Sequence, residues 1–347
     1  MKKAVIAAAV CALAAVSTAA MAADDKVPAR NGFSGNLIFG AGYIDLESNL
    51  YKGNTLLDVE TQTINSVFDS PDSESDAYPF VTGEIGWTFG DRWQVYFGND
   101  IGDLVTLDFS QRLGIRKEWD GVGVVGIAAL LSGMPAEVWA DPYLAGTPRS
   151  DTDRDSTGLR LDWWRILDSG FFLQITTRKI DVDNEQSGTD PALGLTAGEI
   201  SQLRRDGDDS RITLGYRWKD GKETWQPEFI IGEDDRDGKA VSADVTGVKL
   251  TYTYAGNLWT MVGTGSFFQS DYDQANPIYD RKIDSDTYAL GFSAARKLEV
   301  GDGGWSVVGS LVYGDEDSDV NFHDGTAMGV NIGAAYRFGA REEESRP

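Results

Sequence analysis

Apart from its first residues, this chain has no cysteine. Cys11 stands alone inside an apolar leader, MKKAVIAAAVCALAAVSTAAMAADDK, so the rest has neither a disulfide framework nor a thiol nucleophile. Histidine is equally scarce. His323 is the one example, which argues against a multi-histidine metal centre. It lies beside Asp324 in VNFHDGT with no serine nucleophile motif nearby, and reads as a surface histidine rather than a catalytic base. Long hydrophobic runs are missing too. Beyond the leader nothing approaches the length of a spanning helix, and the mean hydropathy is -0.30. Positive charge is the minority: 31 Lys and Arg stand against 55 Asp and Glu, a net charge of -24. That balance argues against nucleic acid as a partner.

The leader has a basic start at Lys2 and Lys3, a stretch of small apolar residues from Ala4 to Ala20, and Ala20-Met21-Ala22 as an A-x-A cleavage pattern. It reads as a signal peptide over 1–22, with the mature chain beginning at Ala23. Its apolar core is short for a membrane anchor. The protein is therefore expected to leave the cytoplasm.

What is present is glycine (40), aromatic residues and alternation. FSGNLIFGAGY sets Phe33, Leu37, Phe39 and Tyr43 against Ser34, Asn36, Gly40 and Gly42. VTGEIGWTF, RITLGYRW and MGVNIGAAYRF repeat the pattern. Period two with one apolar face marks half-buried strands. In GVGVVGIAALL both faces are apolar or Gly, and the faces cannot be assigned. Short turns fall near Gly90-Asp91, Asp120-Gly121, Asp168-Gly170, Asp220-Gly221, Gly256-Asn257 and Asp302-Gly303. They alternate with long acidic connections at 46–76, 99–104, 133–157, 183–208, 233–241, 271–284 and 315–324. The count gives about fourteen antiparallel strands, with 12 or 16 as alternatives, and puts both chain ends on the side of the short turns. This is the layout of an all-β outer-membrane barrel, whose strands hide their membrane signal because only alternate residues face lipid.

The indoles support that layout. Trp87, Trp93, Trp119, Trp163, Trp218, Trp225, Trp259 and Trp305 all lie by short turns, whereas Trp139 lies by a long loop. Tryptophan prefers the membrane–water boundary, so these eight form a periplasmic girdle. Tyr43, Tyr78, Tyr143, Tyr272, Tyr288 and Tyr313, near the long loops, are the expected outer girdle. The last alternating strand ends on Tyr336 and Phe338, resembling the C-terminal assembly signal of outer-membrane proteins. The charged residues after it are expected to hang in the periplasm. The organisation is then a signal peptide (1–22), a periplasmic segment (23–31), one barrel (32–338) and a charged tail (339–347).

EVWADPYLAG, KIDVDNEQSG, DGKAVS and DYDQANPIYD resemble stretches of a gamma-proteobacterial family of predicted outer-membrane proteins catalogued as a domain of unknown function. The resemblance covers nearly the whole mature chain. It implies an outer-membrane location and supplies no substrate or catalytic residues.

With the apolar faces outward, the inward set holds Arg112, Arg116, Arg160, Arg178, Arg211, Arg217, Lys249, Lys297 and Arg337, against Glu84, Asp108, Asp162 and Glu228. One reading is a water-filled passage biased toward anions or polar solutes. The other is a set of charges that pair across strands in a narrow lumen. The loop at 133–157, with Pro135, Pro142 and Pro148, is the expected constriction. Asp235 and Asp237 in EDDRDGKAVSAD echo part of a calcium loop without its flanking helices. The expected function is a porin-like channel for small polar or anionic solutes. The alternative is a non-conducting receptor, adhesin or envelope-stabilising barrel acting through its acidic loops. No enzyme activity and no cofactor are expected. The expected partners are outer-membrane lipid, lipopolysaccharide, the barrel-assembly machinery and weakly held calcium or magnesium. The oligomeric state stays open.

Overall fold

A strand satisfies its backbone in a membrane only by pairing on both sides. In this computed structural model, which describes residues 26–99, 110–300 and 304–339, fourteen antiparallel strands do so in one closed barrel. In chain order the strands are β1 (Gly32–Glu47), two short loop strands β2 (Tyr51–Asn54) and β3 (Leu57–Asp58), β4 (Ser73–Phe89), β5 (Trp93–Asn99), β6 (Ser110–Trp119) and β7 (Gly123–Ser132). There follow β8 (Ala136–Trp139), β9 (Asp151–Trp164), β10 (Phe171–Val182), β11 (Gly207–Tyr216), β12 (Trp218–Asp220), β13 (Glu223–Arg236) and β14 (Ala243–Ala255). The last are β15 (Trp259–Tyr272), β16 (Ser285–Lys297), β17 (Trp305–Ser318) and β18 (Gly325–Phe338). β8 extends β7, and β12 extends β11 past Arg217. β18 closes the ring on β1, in register from Phe338 opposite Gly35 to Ala327 opposite Leu46.

The alternation points as the residues require. Val81 is 72% exposed and its neighbour Thr82 only 5%, so the apolar row faces lipid and the polar row faces in. The ambiguous β7 segment resolves the same way. Ile127 and Leu131 face out, while Val124, Ala128 and Leu130 are buried. No helix among the described residues is long and apolar enough to cross a membrane.

The strands overshoot the apolar band. Asp151, Asp153 and Asp155 belong to β9, Asp208 to β11, and Glu233 to Arg236 to β13, where the sequence pattern placed loops. Outside lipid both faces of a strand can be polar, so the apolar alternation disappears while the pairing continues. The first long loop is stitched to the wall at this level. β2 pairs with β8, and the Asp58 N–H donates to Asp76 Oδ2 at 3.0 Å, tying β3 to β4.

Two glycines are dictated by backbone shape. Gly90 opens the first short turn at φ 57°, a left-handed conformation glycine adopts freely. Gly83 lies at φ 142°, and a Cβ there would come within 2.1 Å of the Asn36 carbonyl on β1.

Candidate functional site: the lumen and its extracellular cap

On the inner wall, Glu84 Oε1 lies 2.6 Å from Arg116 Nη2, and its Oε2 lies 3.5 Å from Arg112. Arg116 Nε also donates to Gln94 Oε1 at 2.8 Å, and its guanidinium rests 4.6 Å from the Tyr96 ring centroid. Further round, Arg160 donates to Thr176 at 3.0 Å, and Gln174 donates to Asp162 at 2.8 Å. Lys249 lies 3.1 Å from Glu228. Gln226 accepts from Arg217 at 2.8 Å and donates to Glu228 at 2.9 Å. Arg178, on β10, is buried. Arg337 is exposed near the end of β18. Asp108 lies outside the described residues. Apart from Lys297, exposed at the end of β16, the expected cations among the described residues therefore have partners. Below Glu316 the wall of β16, β17 and β18 carries small or uncharged residues instead, such as Ser293, Ala295, Ser310 and Asn331, which accepts from the Tyr78 hydroxyl at 2.7 Å.

At the turn end, Trp87, Trp93, Trp119, Trp218, Trp225 and Trp259 are exposed on the outer surface. Trp163 donates from Nε1 to the Val122 carbonyl at 3.0 Å, and Trp305 packs on Tyr336 at 4.7 Å between centroids. Tyr336 in turn stacks near Phe338 at 6.0 Å. Inside this rim, the Val27 N–H donates to Glu118 at 3.0 Å, and Glu118 is also held by Arg165 at 2.7 Å and Arg92 at 3.2 Å. The outer tyrosine girdle needs correcting. Tyr43, Tyr288 and Tyr313 are exposed on the outside, but Tyr78 and Tyr143 are buried, and Tyr272 lines an internal cavity.

The long loops do not hang free. Those of 48–72, 140–150, 183–206, 237–242, 273–284 and 319–324 meet over the mouth in an apolar cluster that includes Ile64, Tyr143, Leu203, Ala240, Ile283 and Phe322. Arg149 is the main polar tie. It is 2% exposed and donates to the carbonyls of Asn49 (2.7 Å), Pro142 (3.1 Å) and Thr61. Burial pulls its pKa down to about 10. Arg205 donates to the Trp139 carbonyl and the Glu185 carboxylate, each at 2.7 Å. Burial pushes the Glu185 carboxyl up, but Arg205 and Ser187 outweigh it and hold the group below its ordinary value. Asp141 accepts from the N–H groups of Tyr143 and Gly188, both at 3.0 Å. A short helix, α1 (Ala197–Ser201), is fixed by a capping box between Thr196 and Glu199. Of the 133–157 segment expected to constrict the lumen, residues 140–150 thus join this cap, while 136–139 and 151–157 are strand.

His323 is half-buried among aromatic rings rather than free on the surface. Its ring centroid lies 5.4 Å from Phe322, 5.9 Å from Tyr279 and 6.2 Å from Tyr143. Its Nε2 is buried with no protein partner, and burial pushes its pKa down to about 4.

Beneath the cap lies a cavity of about 280 Å³. On its wall Asp209 and Asp234 face each other across β11 and β13. Arg211 bridges them, 3.0 Å from Asp234 and 3.5 Å from Asp209, and Arg236 lies 3.1 Å from Asp234. Of this group the sequence pattern had singled out only Arg211. Asp234 and Arg236 fall in the stretch read as a loop (233–241) and Asp209 just past the one at 183–208, although DDSR and GEDDR keep the period-two spacing. The proposed calcium pair does not converge on a site. Asp235 is engaged by Lys239, while the Asp237 N–H donates to the Asp206 carbonyl at 2.8 Å.

A closed ring of antiparallel strands, apolar outside and polar inside, with indoles at the turn end, defines an outer-membrane β-barrel. The chain belongs to the family of proteins of unknown function DUF2860, which matches residues 32–337. No curated protein matches it. Among solved structures it is similar to a FadL homologue of Pseudomonas aeruginosa, at 13% identity over 98% of this chain and 100% of that one, with a TM-score of 0.48. It is also similar to an anion-selective porin from Comamonas acidovorans (9% identity, 89% and 100% coverage, TM-score 0.41). A third is the CymD monoaromatic hydrocarbon channel (10% identity, 89% of each chain, TM-score 0.44).

Proposed function

We propose that the protein is an outer-membrane channel for small polar solutes, closed at its extracellular mouth by a folded cap. The observation that carries this is the polar inner wall. It runs from Arg217 and Glu228 near the turns, through Glu84 and Arg116, to Asp209 and Arg211 under the cap. A wall of paired, hydrogen-bonding charges accommodates hydrated solutes, and the carboxylate partners weaken the anion bias expected from arginines alone. In this reading residues 1–22 are removed on export, 339–347 lie in the periplasm, and Tyr336 with Phe338 is read by the assembly machinery. Planar-bilayer recordings test it. Stepwise conductance that rises when the cap is loosened is the expected result, and silent insertions of both wild type and loosened cap overturn it.

The packed cap favours one rival, a non-conducting surface barrel that presents its acidic loops to a partner. Silent insertions would select that reading.

A further inference from the structure

The outer wall is not evenly covered by side chains. On β15, Met261 faces out and Val262 is buried, so Gly263 and Gly265 hold the next two outward positions. Neither has a left-handed backbone, and the register with β14 and β16 runs through both without a bulge. Crowding does not require them either. A Cβ would meet nothing within 4 Å at Gly263, and only the Leu290 side chain, at 3.5 Å, at Gly265. Gly247, by contrast, lies under the Phe268 ring, where a Cβ would come within 2.1 Å. A strand glycine with no conformational or packing reason of its own marks a place where another molecule approaches the backbone. These two floor a groove of about 630 Å³, whose sides are Leu250, Leu290, Phe292, Leu311, Tyr313 and Met328, all exposed on the outer surface.

The course of the groove selects its occupant. One row of paired residues passes from Leu250 on β14 through Gly265, Leu290 and Tyr313 to Met328 on β18, and continues to Asp45 on β1. Leu250 lies seven residues from the extracellular end of β14 at Ala243, and Met328 three from that of β18 at Gly325. The row thus climbs from the apolar band to the extracellular rim, where Asp45 accepts from Ser73 Oγ at 2.9 Å and the Tyr43 hydroxyl donates to Ser75 at 2.8 Å. Four strand spacings make it about 19 Å long, against about 15 Å for half a hydrocarbon core, which suits one inclined chain of the outer leaflet. The sides are almost all hydrocarbon, so an empty groove would forfeit dispersion contacts that a methylene chain supplies. A second copy of the protein fits less well. Meeting this face about a two-fold axis, it would set Asp45, Asp315 and Asp317 against their own equivalents, whereas a lipid puts only its chain into the groove. We infer that this groove holds an acyl chain of an outer-leaflet lipid as a bound ligand. The site stands whether or not the barrel conducts.

The test is native mass spectrometry of the full-length barrel, reconstituted with deep-rough lipopolysaccharide or with phosphatidylethanolamine and then stripped of loose lipid by detergent exchange. Wild type should keep a single lipopolysaccharide and no phosphatidylethanolamine. Gly263→Phe, which fills the floor where space is open, should lose the bound lipid. Val81→Phe, on the same lipid-facing surface but outside the groove, should keep it. Gly265→Leu is a second filling variant and decides the matter if Gly263→Phe gives no folded band in gels. Retention in a folded, filled variant, loss in Val81→Phe as well, equal retention of phosphatidylethanolamine, or no lipid on wild type each overturns the inference. So does a wild-type dimer that separates in Gly263→Phe, which would give the groove to a second copy.

Discussion

The guanidinium of Arg149 lies 4.3 Å from the ring centroid of Trp139 while its N–H groups reach carbonyls of three separate stretches, Asn49, Thr61 and Pro142. One side chain thus joins the first long loop to the segment after β8. Arg149→Met keeps much of the volume and the contact with the indole but removes the donors, leaving buried carbonyls unsatisfied. The cost is about 3 kcal/mol, and it falls on the cap because no wall pairing is touched. The variant should keep the heat-resistant mobility of a folded barrel in gels, show faster proteolysis within 140–150, and conduct more than wild type. Unchanged proteolysis would mean that Arg149 does not hold the cap.

Glu84 is the carboxylate between Arg112 and Arg116. Glu84→Gln keeps the shape and a hydrogen-bond acceptor but removes the charge. Arg112 and Arg116 then attract mobile anions more strongly, by roughly 1 kcal/mol at effective dielectric constants near those of a wet interior. The anion-to-cation permeability ratio should rise about fivefold, read as a shift of the reversal potential across a potassium chloride gradient. An unchanged potential would show that permeating ions do not pass this wall.

Much of the barrel was legible in the sequence because lipid enforces a strict rule. Phe33, Val81 and Ile332 had to face out, so their alternation could be read directly, and the clustered indoles marked one rim. The cap was illegible for a related reason. Tyr143, Tyr279 and Phe322 lie in irregular segments, with no period to say that they meet. Tyr78 looked like a girdle residue from its place in the chain, but its inward parity in β4 sends it to Asn331. Asp209 and Asp234 were hidden by their neighbours. Asp208 and Asp235 face out into water, so both faces of these strands are acidic and nothing in the pattern separates wall from loop.

Gly83 gives a test of the wall itself. Its φ of 142° and the 2.1 Å approach of a Cβ to the Asn36 carbonyl leave no place for a side chain between β4 and β1. Gly83→Val should break this pairing and abolish the folded, heat-modifiable band. Gly90→Asn, in a turn with open space around it, should cost no more than about 1 kcal/mol and keep that band. Equal behaviour of the two variants would contradict the register of β4 on β1.

If the cap opens as proposed, His323 should make its closure depend on acid. In the closed cap burial pushes its pKa down to about 4, while in an opened, hydrated loop it returns to about 6.5. Above that value both states are neutral and pH has no effect. As pH falls through the window from 6.5 to 4, the open state takes up a proton that the closed state refuses, so closure loses about 1.4 kcal/mol per unit, approaching about 3 kcal/mol. Below pH 4 both states are protonated and the effect stops growing. Of the neighbours that could offset this, Asp324 already accepts from the Ser318 N–H at 3.2 Å, and the rings packed on His323 are Tyr143, Tyr279 and Phe322. Open probability in bilayers should therefore climb between pH 6.5 and 4 and level off beyond. His323→Phe, which keeps a ring in the cluster, should flatten that rise, and a variant that still opens with acid would assign the effect to the carboxylates instead.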